Sequence, residues 1–103
     1  MSAEKLFLQI GNKLEGVEES QMFGKPCFKV NGKAFMCFFD ECLVFKLEGK
    51  ARETALNLKA SKLFDPSGKG RAKKEWVQVT MAHKGHYSTF AREAMKYVKA
   101  SAE

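Results

Sequence analysis

The sequence predicts a single α+β domain over residues 1–103, an antiparallel meander sheet with N-terminal, middle and C-terminal helices packed on it, in the order α-β(3-4)-α-β-α. Three observations predict it. Apolar residues recur at the spacing of one helix face near both ends of the chain. Short β-rich runs separated by tight reversals fill the stretch between them. A 103-residue chain with 45% hydrophobic residues and nine Phe holds one compact core and has no room for a second.

The first helix is read over residues 3–14, where Leu6, Phe7, Ile10 and Leu14 share a face and Lys5, Gln9 and Lys13 oppose them. Gly16 ends the run, and a short strand precedes the Gly24–Pro26 break. In "CFKVNGKAFMCFF", Asn31-Gly32 marks a two-residue hairpin turn, because both positions need positive φ. That turn fixes a register that places Val30 opposite Lys33 and Phe28 opposite Phe35. A second reversal at Asp40-Glu41 sends "CLVFKL" back, with Cys37 opposite Val44 and Met36 opposite Phe45. Residues 49–60 read as a helix with Ala51, Ala55 and Leu58 on one stripe. "FDPSGKGRAKKEW" follows as a loop anchored by Phe64 and Trp76, and "EWVQVTM" reads as a strand. "AHKGH" makes a turn into a final amphipathic helix, with Tyr87, Phe90, Ala91, Ala94 and Val98 inward.

The predicted sheet is apolar on both faces. One face carries Phe28, Val30, Phe35, Cys37, Phe39 and Val44, and the other Cys27, Ala34, Met36, Phe38, Leu43, Phe45 and Leu47. A half-exposed antiparallel sheet alternates apolar with polar residues instead. Either helices cover both sides, or one face or edge meets a second copy, so a homodimer through the sheet is the leading expected partner.

Charge is unevenly placed. Residues 1–58 balance eight Lys/Arg against eight Asp/Glu, whereas residues 59–74 set Lys59, Lys62, Lys69, Arg71, Lys73 and Lys74 against Asp65 alone. That segment carries most of the net charge of +6 and is the candidate site for an anion or nucleic acid. The alternative is a solvated face. "SGKGRA" lacks the spacing and the hydroxyl of a Walker loop, so nucleotide hydrolysis is not expected. Trp76 and Phe64 beside the lysines suit single-strand stacking, or else they are core anchors.

No cofactor, metal or catalytic residue is expected. His83 and His86 stand three apart across a glycine-containing turn without a nearby Cys, and the three cysteines read as buried free thiols. Glu18 and Glu19 point to opposite faces of a strand. No stretch approaches the ~20 apolar residues that span a bilayer, and "MSAEKLFLQIGNKLEG" is not a signal peptide. With an odd cysteine count, these features place the protein in the cytoplasm and away from membranes.

Met22-Phe23-Gly24 ahead of a hairpin with Gly32, "LVFK" ending at Lys46, a helix, "LFDPSGKGR", a strand and a final Ala-containing helix together resemble the TfoX N-terminal domain family. The YjbR-like proteins are a related comparison for "KEWVQV" and the last helix. The resemblance covers about residues 16–100. It implies a small bacterial α+β module without catalytic residues, found alone or joined to a helical C-terminal domain in competence regulators. No such helical domain is expected here, so a competence-regulator role is not carried over; "FGKPCF" departs from the usual glycine-rich continuation, and the loop is more basic. The expectation is therefore a non-enzymatic interaction or regulatory module, with nucleic-acid binding through residues 59–74 as the alternative. A concave apolar pocket elsewhere, lined by polar groups, would favour a small ligand.

Overall fold

The computed structural model describes residues 2–22, 24–65 and 73–100, with the side chains of Met22, Lys73 and Lys74 outside the description. The chain runs α1 (Ala3–Asn12), β1 (Val17–Met22), β2 (Lys25–Val30), β3 (Lys33–Phe39), β4 (Cys42–Lys46), α2 (Gly49–Leu56), β5 (Lys62–Phe64) and β6 (Lys73–Val79). A 3-10 segment, Met81–His86, then leads into α3 (Tyr87–Ala100). The six strands form one antiparallel sheet in the order β1-β2-β3-β4-β6-β5. The α+β class agrees with the sequence, and the three helices start where it predicts. However, α1 ends at Asn12 rather than at residue 14, α2 ends at Leu56 rather than at residue 60, and "AHKGH", predicted as a turn, is 3-10 helix. The short strand β5 lies where the sequence predicts only loop.

Local chemistry accounts for the turns. Asn31 and Gly32 both have positive φ, 53° and 78°, and Val30 pairs with Lys33. Asp40 and Glu41 also take positive φ, 51° and 59°, and close the β3–β4 hairpin with Phe39 opposite Cys42. Glu41 does so against its own preference, since a side chain with a Cβ disfavours this region. At the start of α1, the Ser2 hydroxyl accepts the Lys5 N–H at 3.1 Å and satisfies one free donor of the first turn.

One residue changes the predicted faces. The β2–β3 register shifts between Phe28 and Lys29, so Phe28 opposes Met36 and Lys29 opposes Ala34, leaving Phe35 as the extra residue of a bulge. The bulge places Phe35 and Met36, neither measurably exposed, in the same core cluster. Phe28 joins them there. Cys27, Cys37 and Val44 lie in a second cluster, on the other side of the sheet, with Phe64 and Trp76. The unbroken ladder predicted from the Asn31-Gly32 turn is thus corrected from Phe28 onward, while the Cys37–Val44 and Met36–Phe45 pairs hold.

The larger core lies between the sheet and the helices. Phe7 of α1, Ala55 of α2, and Tyr87, Phe90, Ala91, Ala94 and Val98 of α3 cover Phe28, Met36, Leu43, Phe45, Val77 and Val79. Tyr87 also donates its hydroxyl to the Val79 carbonyl at 2.9 Å, which satisfies a polar group in an apolar layer. In α1 the fully buried stripe is Ala3, Phe7 and Gly11, while Leu6 and Ile10 sit on its shoulder, half-buried. Gly11 is buried because the Phe28 ring occupies the space its side chain would fill. Among the described residues no helix is long and apolar enough to cross a membrane.

Candidate functional site

Backbone parity decides which strand atoms remain available for binding. The Leu47 N–H donates to the Glu75 carbonyl at 2.8 Å, so alternate residues of β4 turn their backbone groups toward β6. Val44, between them, turns to β3 and bonds its partner Cys37. Cys37 therefore has no ladder bonds left for β2, and Cys27 opposite it turns its own to Ser20 of β1. Carried one strand further, Ser20 and Glu18 face inward, and Val17, Glu19 and Gln21 direct their backbone N–H and C=O outward. Pro26 fits the same parity. Its missing N–H falls on the β3 side, beyond the last paired residue Cys27, where no ladder bond is lost.

The basic segment comes together only in part. Lys59 and Lys62 are exposed, the first after α2 and the second opening β5. Lys69 and Arg71 lie outside the described residues, and Lys73 and Lys74 are described only as backbone of β6. Phe64 and Trp76 do anchor the two ends of this stretch, with ring centroids 6.4 Å apart. At 1% and 9% exposure, however, neither ring offers a face to a nucleic-acid base. Phe39 packs edge-on against Phe64 at 5.1 Å and completes the small aromatic cluster.

The histidines serve separate structural ends. His83 places Nε2 2.8 Å from the Lys59 carbonyl, and His86 stacks on Phe90 at 5.4 Å. Among the described residues no group of three or more His, Cys, Asp or Glu is placed to hold a metal ion.

All three cysteines are free and buried. Burial pushes the Cys37 thiol up to about 12, with the adjacent Cys27 adding to it, and burial also raises Cys27 against the opposing pull of Lys29. Such thiols are poor nucleophiles at neutral pH. The raised value has a thermodynamic corollary. Between the ordinary value of 9.0 and about 12, the unfolded chain loses this proton while the folded chain keeps it. The stabilisation is complete below pH 9 and is lost as pH rises toward 12. We predict that stability falls through this window by about 1.4 kcal/mol per pH unit from this group. Urea unfolding at stepped pH checks it: Cys37→Ala should flatten that part of the slope, and an unchanged slope would remove Cys37 as its source.

A polar cluster that sequence reasoning missed joins β4, β6 and α3. Tyr97 donates its hydroxyl to Glu75, whose other carboxylate oxygen lies 3.8 Å from Lys46 Nζ. The Glu75 carboxylate holds the phenol's proton and pushes Tyr97 up to about 12. Beside it, Leu47, Ala51, Glu93, Lys96 and Tyr97 are among the residues lining a cavity of about 380 Å³ between α2 and α3. A neighbouring hollow of about 280 Å³, lined in part by Thr54, His86 and Phe90, shares Lys50, Ala51 and Glu93 with it. Both are charge-balanced, and Lys96 is already paired with Glu93 at 3.8 Å. Helical spacing gives no sign of this cluster, because Lys46, Glu75 and Tyr97 meet only through the sheet.

The structure so far defines a class, a six-stranded antiparallel α+β domain with its helix-packed core on one face of the sheet and an open strand at one edge. Comparison of the chain with known protein families, with curated proteins and with solved structures finds no match to any of them.

Proposed function

We propose that this chain is a non-enzymatic interaction module of the TfoX N-terminal type that engages its partner by strand addition at β1, a second copy of the chain being the first such partner. The observation that carries the reading is the outer edge of β1. This six-residue strand is paired on one side only and contains no Pro, Gly or Lys. Glu18, Glu19 and Gln21 are exposed, and Val17, Glu19 and Gln21 direct their backbone groups outward. Natural edges are usually blunted by charged side chains, above all lysine, by proline or by a bulge; β1 has only Glu18 and Glu19 of these, and its outward backbone groups remain a template for another strand. Antiparallel addition of β1 to its counterpart would extend two sheets into one, in a closed two-fold arrangement. The apolar residues of the second sheet cluster are already buried within one chain, so the edge is favoured over the face.

Light scattering after size exclusion tests this. The wild type is expected at dimer mass at micromolar concentration, and Glu19→Pro at monomer mass with an unchanged circular dichroism spectrum. Position 19 is chosen because its N–H points away from β2, so proline there removes an edge donor without breaking the ladder. A monomeric wild type would exclude the second copy as partner. Oligonucleotide added in the same experiment addresses the other class: co-elution lost in Lys59→Ala/Lys62→Ala would instead favour the basic segment.

A further inference from the structure

Between α1 and α3 lies a cavity of about 300 Å³ whose charge is not balanced. Leu6, Ile10 and Leu14 form an aliphatic floor, each half-buried. Lys13, at the C-terminal end of α1, Lys84 of the 3-10 segment and Arg92 of α3 stand around it, all exposed. Gln9 and Ser88 add an amide and a hydroxyl, and no carboxylate lines the space among the described residues. None of the three cations makes an ion pair with a described acid. The other two cavities differ, because each brings Glu93 next to its lysines.

The spacing explains how the site is assembled. Lys84, Ser88 and Arg92 fall at intervals of four along the 3-10 segment and α3, and Leu6, Ile10 and Leu14 fall at the same interval along α1 and just past its end. Ser88 and Arg92 share one face of α3 and Leu6 and Ile10 one face of α1; Lys84 just before α3, and Lys13 and Leu14 just past α1, extend them, so a basic rim meets an aliphatic floor. A concave apolar floor with a few convergent polar groups is the usual form of a small-molecule site, and this volume sits at the low end of the range for one. A protein partner would need about 800 Å² of its own surface, far more than this hollow offers.

We propose that the α1–α3 cavity binds a small amphiphilic anion, with its apolar body on Leu6, Ile10 and Leu14 and its carboxylate or phosphate held by Lys13, Lys84 and Arg92. The head sits in a field of three cations, and the body completes the cover over side chains that the fold leaves half-exposed. The assignment stands apart from the β1 edge, which lies on another element.

Amide NMR titrations with octanoate and octyl phosphate, kept below micelle formation, test the proposal. Octanol and inorganic phosphate serve as the head-free and tail-free probes. Shifts are expected at Ile10, Lys13, Leu14, Ser88 and Arg92. Lys84→Glu/Arg92→Glu should weaken binding about tenfold or more, and Arg92→Gln about threefold, as partly exposed charge pairs allow. Lys50→Glu, on the other cavities, should leave it unchanged. Preference between octanoate and octyl phosphate identifies the head group. Octanol binding as tightly as octanoate, or inorganic phosphate binding as tightly as octyl phosphate, would overturn the proposal. So would shifts elsewhere, no shifts, or unaltered affinity in both variants. Displacement of octanoate by a glutamate-rich amphipathic peptide of higher affinity would transfer the site to a macromolecular partner.

Discussion

Phe45→Ala is expected to lower stability by about 3–5 kcal/mol, the range for emptying a large aromatic site in a packed core. Phe45 is fully buried in β4 and pairs with Met36 on one side and Val77 on the other. Its ring lies 5.7 Å from Tyr87 and 5.7 Å from Phe90, so it is one of the contacts through which α3 sits on the middle of the sheet. The surrounding groups belong to two neighbouring strands and one helix, and they cannot all move inward to fill the space. A domain of this size has about 5–15 kcal/mol of net stability, so the variant should stand near the limit of folding. Thermal unfolding should shift down by about 12–40 °C, at about 4–8 °C for each kcal/mol. Phe45→Leu, which keeps most of the volume, should lose much less. Equal and small losses in both would mean that α3 does not dock on β4 as described.

Gly11→Ala is the second large effect, and its sign runs against helix propensity. Within an exposed helix the change would stabilise by about 1 kcal/mol. Here a Cβ on Gly11 would overlap the Phe28 ring. That ring can move only by disturbing its neighbours, because Phe28 is 1% exposed and packs 5.1 Å from Phe7. Overpacking of this kind costs about 1–3 kcal/mol, with the displaced ring toward the upper end. A net loss of about 1–2 kcal/mol is expected once the propensity gain is subtracted. The double variant Gly11→Ala/Phe28→Leu should recover part of it, giving a coupling term in a double-mutant cycle measured by urea unfolding. Additive losses would show that the two positions do not touch.

The fold was legible where a local rule governs it. Asn31-Gly32 specified its turn because few other residues tolerate those angles, and the inward residues of α3 followed from helical spacing alone. The bulge at Phe35 was not legible. In "KAFMCFF" every register leaves apolar residues on both faces, so no pattern in the sequence penalises a one-residue slip. Strand β5 was missed because three residues are too few for alternation to register; its pairing with β6 makes it a strand. The basic stretch was legible as charge, but charge does not say what a side chain faces. The cavity residues Lys13, Lys84 and Arg92 could not be grouped from sequence at all, because tertiary packing of α1 against α3 brings them together.

The shielding of the sulfur atoms has a practical side. Cys27, Cys37 and Cys42 are 0%, 2% and 8% exposed, and they are all the cysteines in the chain. A single new cysteine at an exposed position therefore becomes the one readily labelled thiol of the native protein, with no need to strip out the others. Placed at Gln21, a spin label would test the proposed β1 pairing, because only a dimer brings two labels within range of each other. Placed at Ser88, it would report occupancy of the hollow between α1 and α3. The same wild-type core can thus serve both measurements.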